Sequence, residues 1–239
     1  MTVSGHPLPP GANGPAVVAG GPVTLVGGGP LSHEDLSTAL TLAPSLVAAD
    51  GGAAHLLAAG LKPLAVIGDM DSLPRDAARA FADRLHPVAE QDTTDFDKAL
   101  SRIEAPLVLA LGFSGGRLDH ELAALHSLLL RRDRPCIVLG PESLCLHCPP
   151  RLCLALDPGT TVSLFPLAPA RVASEGLRWP TAAIPFDPTR RVGTSNEATG
   201  PVVLEARGPG MLLILPRAAL PAAAAAMLAA PRWPASRGG

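Results

Sequence analysis

The fold is decided by the stretch Leu64-Ala65-Val66-Ile67-Gly68-Asp69-Met70-Asp71-Ser72. Its first four residues are all apolar, which is typical of a strand that is covered on both faces in a parallel sheet. The two aspartates that follow then lie at the carboxyl end of the strand, where open parallel sheets bind their ligands. Asp69 and Asp71 are therefore the first candidates for a functional site.

Short apolar runs of the same kind recur along the first 140 residues. They are Val23–Val26, Leu46–Ala49, Leu107–Leu111 and Cys136–Leu139. Stretches with the apolar spacing of amphipathic helices separate these runs. The helices are predicted to begin near Ser32, Pro74, Thr94 and Leu118. This alternation predicts an α/β fold with an open, mostly parallel sheet and flanking helices.

After residue 141 the helical spacing disappears and turn signals separate strand-like pieces. These pieces are Thr160–Phe165, Val202–Ala206 and Met211–Leu215. We therefore predict an α/β domain at 21–143 followed by a C-terminal all-β sandwich domain at 144–216. The remaining residues are predicted as a flexible tail at 1–20 and a C-terminal tail at 217–239, where an alanine-rich helix would be interrupted by Pro221.

Charge and hydropathy exclude two classes of partner. The 239 residues carry a net charge of −2 without a basic stripe, so we expect no nucleic-acid binding. Residues 1–20 have no Lys or Arg and are broken by prolines, unlike a signal peptide. The alanine run 222–230 is shorter than the roughly 20 residues that span a bilayer. We expect a cytoplasmic protein that does not enter membranes.

A group of cysteines is the one pattern in the second half that suggests a metal. Cys145, His147 and Cys148 form one half of a possible zinc site. Structural zinc sites pair two such halves, and the sequence has no second one. Buried free thiols in strands are the favoured interpretation.

Acidic residues collect where the predicted strands end. Six carboxylates would meet at one edge of the sheet: Asp50, Asp69, Asp71, Asp92, Asp95 and Asp119. So many acids repel each other unless a cation neutralises them, and oxygen ligands favour Mg²⁺. Gly51 and Gly52 would let the backbone approach phosphate oxygens, and Lys98 and Arg117 would face a polyphosphate. The residues alone thus favour magnesium-dependent nucleotide chemistry.

Structural interpretations of the same residues stay open. Asp50-Gly51-Gly52 is also a common turn sequence after a strand. Thr94 with Asp97 is also a helix capping box, and Asp119 is also a typical first-turn helix charge. Their co-occurrence at neighbouring strand ends, rather than any single motif, carries the functional hypothesis.

The ordered set of motifs resembles the thiamine pyrophosphokinase family, over the range from about Val23 to Pro216. The matching motifs are Ala49-Asp50-Gly51-Gly52-Ala53, Ile67-Gly68-Asp69-Met70-Asp71-Ser72, Gln91-Asp92-Thr93-Thr94-Asp95-Phe96-Asp97-Lys98-Ala99-Leu100, Gly115-Gly116-Arg117-Leu118-Asp119-His120, Gly176-Leu177-Arg178-Trp179 and Thr194-Ser195-Asn196. The resemblance implies an α/β domain followed by a β-sandwich, a homodimer with sites shared between subunits, and transfer of a diphosphate from ATP to thiamine with release of AMP.

The resemblance also implies roles for individual residues. Mg²⁺ would be held by Asp69, Asp71 and Asp95. The nucleotide and diphosphate path would be lined by Asp50, Gln91, Thr94, Arg117 and Asp119. Thiamine would be contacted by Trp179, Ser195 and Asn196, with the tryptophan coming from the partner subunit. Arg117 would neutralise charge, and Asp71 or Asp95 would accept the hydroxyl proton.

Three positions depart from the family pattern. Ala54 stands where asparagine is common, Met70 where a bulkier apolar or aromatic residue is usual, and Pro180 follows Trp179. None of the three removes a carboxylate. Two alternatives remain: a pyrophosphokinase for another alcohol, such as a hydroxymethyl pterin, and an inactive sensor that binds thiamine or a nucleotide.

Overall fold

The structure is a computed structural model that describes residues 6–7, 14–90 and 92–235. It divides into two compact units. The first contains residues 1–127 and 138–140, and the second contains residues 128–137 and 141–239.

The first unit alternates strands and helices. Its strands are β1 (His6–Pro7), β2 (Val17–Val18), β3 (Val23–Val26), β4 (Ser45–Ala49), β5 (Ala65–Gly68), β6 (Leu85–Pro87), β7 (Ile103–Glu104) and β8 (Val108–Leu111). Its helices are α1 (His33–Leu42), α2 (Ala53–Ala58), α3 (Arg75–Ala80) and α4 (Asp95–Ser101). Two further elements contain the division between the units: α5 (Leu118–Leu130) and β9 (Cys136–Leu139).

The main sheet of the first unit confirms the predicted parallel α/β fold. Its order includes β8-β3-β4-β5-β6, and each of these neighbouring pairs is parallel. All residues of β3, β4, β5 and β8 are buried, including the polar Thr24 and Ser45, as their mainly apolar sequences predict. The chain runs outward from β3 through β4, β5 and β6 and then returns to β8 on the other side of β3. The loops after β3 and β8 therefore flank a topological switch point, where such sheets form a ligand crevice.

The helix signals in the sequence act as expected in most cases. Ser32 caps α1, since its hydroxyl accepts a hydrogen bond from the Asp35 amide at 3.0 Å. Pro74 precedes α3, and the predicted helix near Leu118 is α5. Helix α2 was not predicted. It continues directly from a 3₁₀ turn formed by Asp50–Gly52. The Asp-Gly-Gly sequence is typical of a turn, so it did not indicate that a helix begins there.

The described part of the predicted N-terminal tail is ordered structure. Strand β2 pairs in parallel with β7, and Val17 is fully buried. The amides of Ala16 and Val17 both donate to the Arg102 carbonyl, at 2.8 and 3.1 Å. The prediction of a flexible tail is thus wrong for residues 14–20, because their small apolar side chains pack beside the end of α4. Residues 1–5 and 8–13 lie outside the described residues.

The second unit is rich in antiparallel strands, as predicted. Its strands are β10 (Ser143–His147), β11 (Arg151–Leu154), β12 (Thr161–Pro166), β13 (Val172–Leu177), β14 (Gly193–Ala206) and β15 (Met211–Pro216). Strand β14 pairs with β12 near its beginning and with β11 and β13 further along. Strand β14 therefore connects β12 on one side with β11 and β13 on the other.

The C-terminal region ends in helix α6 (Leu220–Ala229), which packs against β11. Pro221 lies in the first turn of α6, where backbone amides have no acceptor within the helix. The missing N–H of proline therefore costs no hydrogen bond, and Pro221 begins the helix instead of interrupting it as predicted. Among the helices of the described residues, none is long and apolar enough to cross a membrane.

Candidate active site

Three of the predicted acidic residues meet at the carboxyl ends of β4 and β5. One carboxylate oxygen from each of Asp50, Asp69 and Asp71 lies within 4.8 Å of the other two. The Asp69–Asp71 loop is held by hydrogen bonds from the Asp71 amide to Asp69 at 3.3 Å and from the Ser72 hydroxyl to Asp71 at 3.1 Å. Three carboxylates this close together, on fixed loops, form a donor set suited to a divalent cation.

Asp50 is the most constrained member of this cluster. It is only 1% exposed, and its Oδ2 accepts the Ser72 amide at 3.2 Å while its buried Oδ1 has no partner among the described residues. Its backbone is left-handed, with φ of 38°. Burial is the main cause that raises the pKa of this carboxyl to about 6. A buried acceptor without a donor fits a cation at this position.

The raised pKa of Asp50 gives a prediction for the metal-free protein. Because the folded state binds this proton more tightly than the unfolded state does, the free energy of unfolding falls as the pH rises from about 4 to above 6. Asp50→Asn removes the buried charge, and asparagine tolerates a left-handed backbone. We expect it to stabilise the protein by about 2 kcal/mol at about pH 7.5, with little change near pH 4. Urea unfolding in EDTA at both pH values measures this.

A matched control for Asp50→Asn is Asp83→Asn, which removes an exposed carboxylate from the same unit. It should show the pH dependence of the wild type. If Asp50→Asn has no greater stability than the wild type at the higher pH, the buried carboxyl carries no electrostatic penalty and the prediction is wrong.

Lys98 is buried beneath the acidic cluster. It is 3% exposed, and its Nζ lies 2.6 Å from Asp69 and 3.8 Å from Asp95. The hydrogen bond from Lys98 is the largest cause that lowers the pKa of Asp69 to about 2. Asp69 is thereby kept ionised across the physiological range. The sequence identified Lys98 as a cation for the polyphosphate, and in the structure its ammonium group contacts the two aspartates.

Asp95 is the predicted metal ligand that lies outside the three-carboxylate cluster. It begins α4, and desolvation is the largest cause that raises its pKa, followed by the charge of Asp69. The charge of Asp95 also contributes to the raised pKa of Asp50, and the charges of Asp69 and Asp71 contribute to the raised pKa of Asp95, so Asp95 lies near the same cluster. Its role as a ligand stays a prediction.

A glycine-rich segment after β3 was missed in the sequence. The Gly29 amide donates to the Gly112 carbonyl at 2.9 Å, and a Cβ at Gly29 would lie 2.6 Å from that oxygen. The loops after β3 and β8 thus touch backbone to backbone at the switch point. Three consecutive glycines, Gly27–Gly29, directly after a buried strand were the signal that could have revealed this segment.

The loop before α4 is organised by a residue that the sequence did not single out. The Glu90 carboxylate accepts the amides of Asp92 at 2.9 Å and Thr93 at 3.1 Å, and the Thr93 hydroxyl. Thr94 caps α4, accepting the Asp97 amide at 3.3 Å. The capping interpretation of Thr94 is thus confirmed, and a nucleotide contact stays a prediction. Gln91, predicted on the same path, lies outside the described residues.

Arg117 and Asp119 form an exposed ion pair before and within α5. The Arg117 Nε donates to Asp119 at 3.1 Å, and this pairing holds the pKa of Asp119 down at about 2. The preceding loop is fixed by Glu121, which accepts the Ser114 hydroxyl at 2.7 Å and the Gly115 amide at 3.1 Å. Glu121 was also missed, because a glutamate inside a helix is usually only a surface charge.

The second unit brings two predicted thiamine contacts together. Asn196 holds the backbone of Trp179 on both sides: its Oδ1 accepts the Trp179 amide at 3.2 Å, and its Nδ2 donates to the Trp179 carbonyl at 2.7 Å. The indole is 53% exposed, and the guanidinium of Arg178 lies 5.1 Å from its centroid. Asn196 therefore fixes the backbone of Trp179, whose aromatic ring is exposed. Direct contact of Asn196 with a ligand stays a prediction.

Ser195 lies beside this pair in an unusual conformation. Its backbone is left-handed, with φ of 60°, and its amide donates to the Ser163 hydroxyl at 2.9 Å. The described non-glycine residues with positive φ are Asp50, Met70 and Ser195. All three lie in the motifs identified from the sequence, and local backbone strain of this kind concentrates at functional sites.

The cysteine cluster of the second unit gives no metal site. Among the described residues, the acidic cluster is the only group of three or more potential ligands close enough to share an ion. Cys145 and Cys148 are buried and form no disulfide, as predicted, whereas Cys153 is exposed. Strand β11 alternates buried and exposed residues, which places Cys153 on its outer face.

Family models match both units of the chain. A model of the thiamin pyrophosphokinase catalytic domain matches residues 36–139. A second model, of the thiamin pyrophosphokinase vitamin B1 binding domain, matches residues 149–207, so the two ranges cover more than half of the chain. The chain belongs to the thiamine pyrophosphokinase family. The acidic cluster of this family member lies within the first range, and Trp179 and Asn196 lie within the second.

Individual relatives agree with this assignment. Thiamine pyrophosphokinase of Bacillus subtilis (strain 168) is 33% identical over 119 residues, which are 47% of this chain and 52% of that protein. The matched stretch thus spans about half the length of this curated relative. Thiamin pyrophosphokinase from Geobacillus thermodenitrificans has a similar structure, with a TM-score of 0.66 and 27% identity over 82% of this chain and 96% of that one. The Candida albicans thiamin pyrophosphokinase shares the fold, with a TM-score of 0.68, 16% identity and coverage of 82% and 90%.

Proposed function

We propose that this protein is a thiamine pyrophosphokinase that transfers the diphosphate group of ATP to the hydroxyl of thiamine and releases AMP. The observation that carries this proposal is the cluster of Asp50, Asp69 and Asp71, in which one buried carboxylate oxygen has no donor among the described residues. An inactive sensor would have no need to keep three carboxylates so close together at this energetic cost.

These residues fit the magnesium ion that such a reaction requires. Asp50, Asp69 and Asp71 would hold Mg²⁺, and Asp95 at the start of α4 is proposed to complete the set. When bound, the cation neutralises charge on the phosphate oxygens of ATP. Lys98 keeps Asp69 ionised and fixes its orientation, so the site is preorganised before the nucleotide arrives.

The remaining parts of the first unit suit the polyphosphate. The backbone segments at Gly27–Gly29 and Gly51–Gly52 have no side chains that would block a close approach to phosphate oxygens. Arg117 is proposed to leave Asp119 and bind the charge that develops during transfer. The thiamine oxygen forms a bond to the β-phosphorus, and the bond from that phosphorus to the α,β-bridging oxygen breaks. Asp71 or Asp95 accepts the hydroxyl proton.

Analysis of the products tests the proposed function. Purified protein is incubated with ATP, Mg²⁺ and thiamine, and nucleotides and thiamine esters are separated by chromatography. We expect AMP and thiamine diphosphate in equal amounts. A hydroxymethyl pterin in place of thiamine should give no AMP. Accumulation of ADP and thiamine monophosphate would contradict the proposal, since it would indicate transfer of a single phosphoryl group.

The exposed Trp179 ring is proposed to stack on the cationic thiazolium ring of thiamine. Trp179→Ala is expected to raise the KM for thiamine by about tenfold, because a desolvated cation–π contact contributes roughly 1–2 kcal/mol. The KM for ATP should change by less than about twofold. Steady-state kinetics with each substrate varied in turn measures this. Trp179→Phe, which keeps an aromatic face, should stay close to the wild type, and equal KM values for all three proteins would contradict the assignment.

We further propose a homodimer in which Trp179 serves the active site of the partner subunit. Mixing Trp179→Ala protein with Asp71→Asn protein would then restore activity, because one of the two sites of each heterodimer would contain neither substitution. At thiamine concentrations well below the wild-type KM, subunit exchange is expected to raise the activity of the mixture from about one twentieth to about a quarter of the wild-type value. If no activity returns although labelled subunits demonstrably exchange, Trp179 serves its own subunit.

A further inference from the structure

The pairing of β12 with β14 in the second unit contains a β-bulge. Two regular pairs, Val162 with Asn196 and Leu164 with Gly193, are separated by one residue of β12 and by two residues of β14. The single residue of β12 is Ser163. Two residues opposite one bend the bulged strand and change the direction in which its next side chains point.

The backbone strain of this bulge lies at Ser195. Ser195 is one of the two β14 residues opposite Ser163, and its backbone is left-handed with φ of 60°. Bulges often have glycine at a left-handed position, because a Cβ disfavours that conformation. A bulge also leaves a backbone amide without a ladder partner. Here the Ser163 hydroxyl accepts the Ser195 amide at 2.9 Å, so a side chain of β12 replaces the missing ladder bond.

The Ser163 hydroxyl lies on the outer face of β12. Val162 and Leu164 are buried on the inner face, whereas Ser163 is half-buried and Thr161 is exposed on the other face. Removal of the Ser163 hydroxyl therefore opens no cavity in the core. Its effect is expected to be local to the bulge and to leave the fold intact.

The residue that follows the bulge holds the backbone of Trp179. Asn196 Oδ1 accepts the amides of Trp179 at 3.2 Å and Glu197 at 2.8 Å, and Asn196 Nδ2 donates to the Trp179 carbonyl at 2.7 Å. The Arg178 amide in turn donates to the Glu197 carbonyl at 2.8 Å. Since the bulge sets the direction of the Asn196 side chain, it also sets the position of the Trp179 backbone.

We propose that Ser163 is a positioning residue for thiamine, because it holds the bulge at Ser195 and thereby, through Asn196, sets the orientation of Trp179. This inference rests on the proposed function, in which the Trp179 ring stacks on the thiazolium ring. Ser163 acts through these neighbours and not by contact with the substrate. Loss of its hydroxyl should therefore weaken thiamine binding and leave the diphosphate transfer step unchanged.

Steady-state kinetics separates these two effects. Ser163→Ala should raise the KM for thiamine about fivefold, while kcat and the KM for ATP change by less than about twofold. Ser163→Thr keeps a hydroxyl on a β-branched side chain that suits a strand, and should stay within about twofold of the wild type. Thr161→Ala is the matched control, since it removes a hydroxyl from the same face of the same strand. Equal KM values for Ser163→Ala and Thr161→Ala would overturn the proposal.

A double substitution tests whether Ser163 acts through Trp179. When Trp179→Ala is already present, adding Ser163→Ala should change the KM for thiamine by less than about twofold, because the residue that it positions is gone. Independent effects that multiply in the double variant would overturn the proposal. Thermal unfolding of each variant verifies the fold, and Ser163→Ala should lower Tm by no more than about 3 °C.

Amide hydrogen exchange, resolved by NMR, tests the same contacts without thiamine. In Ser163→Ala the amides of Ser195 and Trp179 should exchange at least about tenfold faster than in the wild type. The buried Leu213 amide in β15 should be unchanged, and Ser163→Thr should retain the protection of all three. Faster exchange at Ser195 without a change at Trp179 would overturn the proposal. A wild-type protein that forms no thiamine diphosphate would contradict the proposed function, whereas the exchange rates would still decide whether Ser163 positions Trp179.

Discussion

Replacing Asp71 with asparagine is expected to lower kcat/KM for thiamine diphosphate formation by about a thousandfold or more. The change removes one anionic ligand, which contributes several kcal/mol to stabilisation of the transition state. The fold should persist, because Asp71 is exposed and an asparagine oxygen can still accept the Ser72 hydroxyl. AMP release at varied Mg²⁺ concentration measures the effect, and thermal unfolding verifies the fold.

The matched control is again Asp83→Asn, which removes an exposed carboxylate that does not belong to the acidic cluster. It should retain wild-type turnover at every Mg²⁺ concentration. Near-normal activity of Asp71→Asn at limiting Mg²⁺ would contradict the assignment of Asp71 as a magnesium ligand, since loss of a ligand weakens binding of the ion.

Gly52→Ala is expected to destabilise the protein by about 4 kcal/mol or more, or to prevent folding. A Cβ at this position would overlap the carbonyl oxygen of Val26 and lie 2.6 Å from its carbonyl carbon. Both atoms belong to the backbone of a buried central strand, so neither can move without breaking the sheet. The change also displaces the turn that carries Asp50.

Gly51→Ala is a closely matched control, because the nearest atom to its added Cβ is the Ser72 carbonyl oxygen at an ordinary 3.5 Å. It should change the free energy of unfolding by less than about 1 kcal/mol. Urea unfolding curves of the two variants compare them directly. Similar stabilities would contradict the prediction, because they would show that the backbone near Val26 can shift to accommodate a Cβ at position 52.

The sequence predicted the parallel strands well because their burial on both faces leaves a continuous apolar run. The position of the acidic cluster followed from the same logic, since the ends of parallel strands meet at one edge. The role of Gly27–Gly29 did not follow, because a glycine's importance depends on which backbone lies opposite. That contact with Gly112 joins residues far apart in sequence.

Side-chain partners were the least predictable part of the site. Lys98 was expected to face a ligand, and its contact with Asp69 depends on the depth of α4 beneath the β5 loop. The bonds between Asn196 and the Trp179 backbone likewise join two motifs that the sequence treated as separate contacts. A motif identifies the residues that meet, whereas packing decides which of them touches the ligand.

The long strand β14 has a consequence for how the second unit folds and opens. It pairs with β11, β12 and β13, and the Arg151–Glu205 register joins residues that are 54 positions apart in the sequence. Folding must therefore wait for the chain up to Ala206, and contacts of such sequence separation form slowly. Once the unit has folded, β11, β12 or β13 can detach only if its hydrogen bonds to β14 break. Amide hydrogens along β14 should consequently exchange with solvent only through opening of the whole unit, and proteases should find few partly unfolded forms to cut.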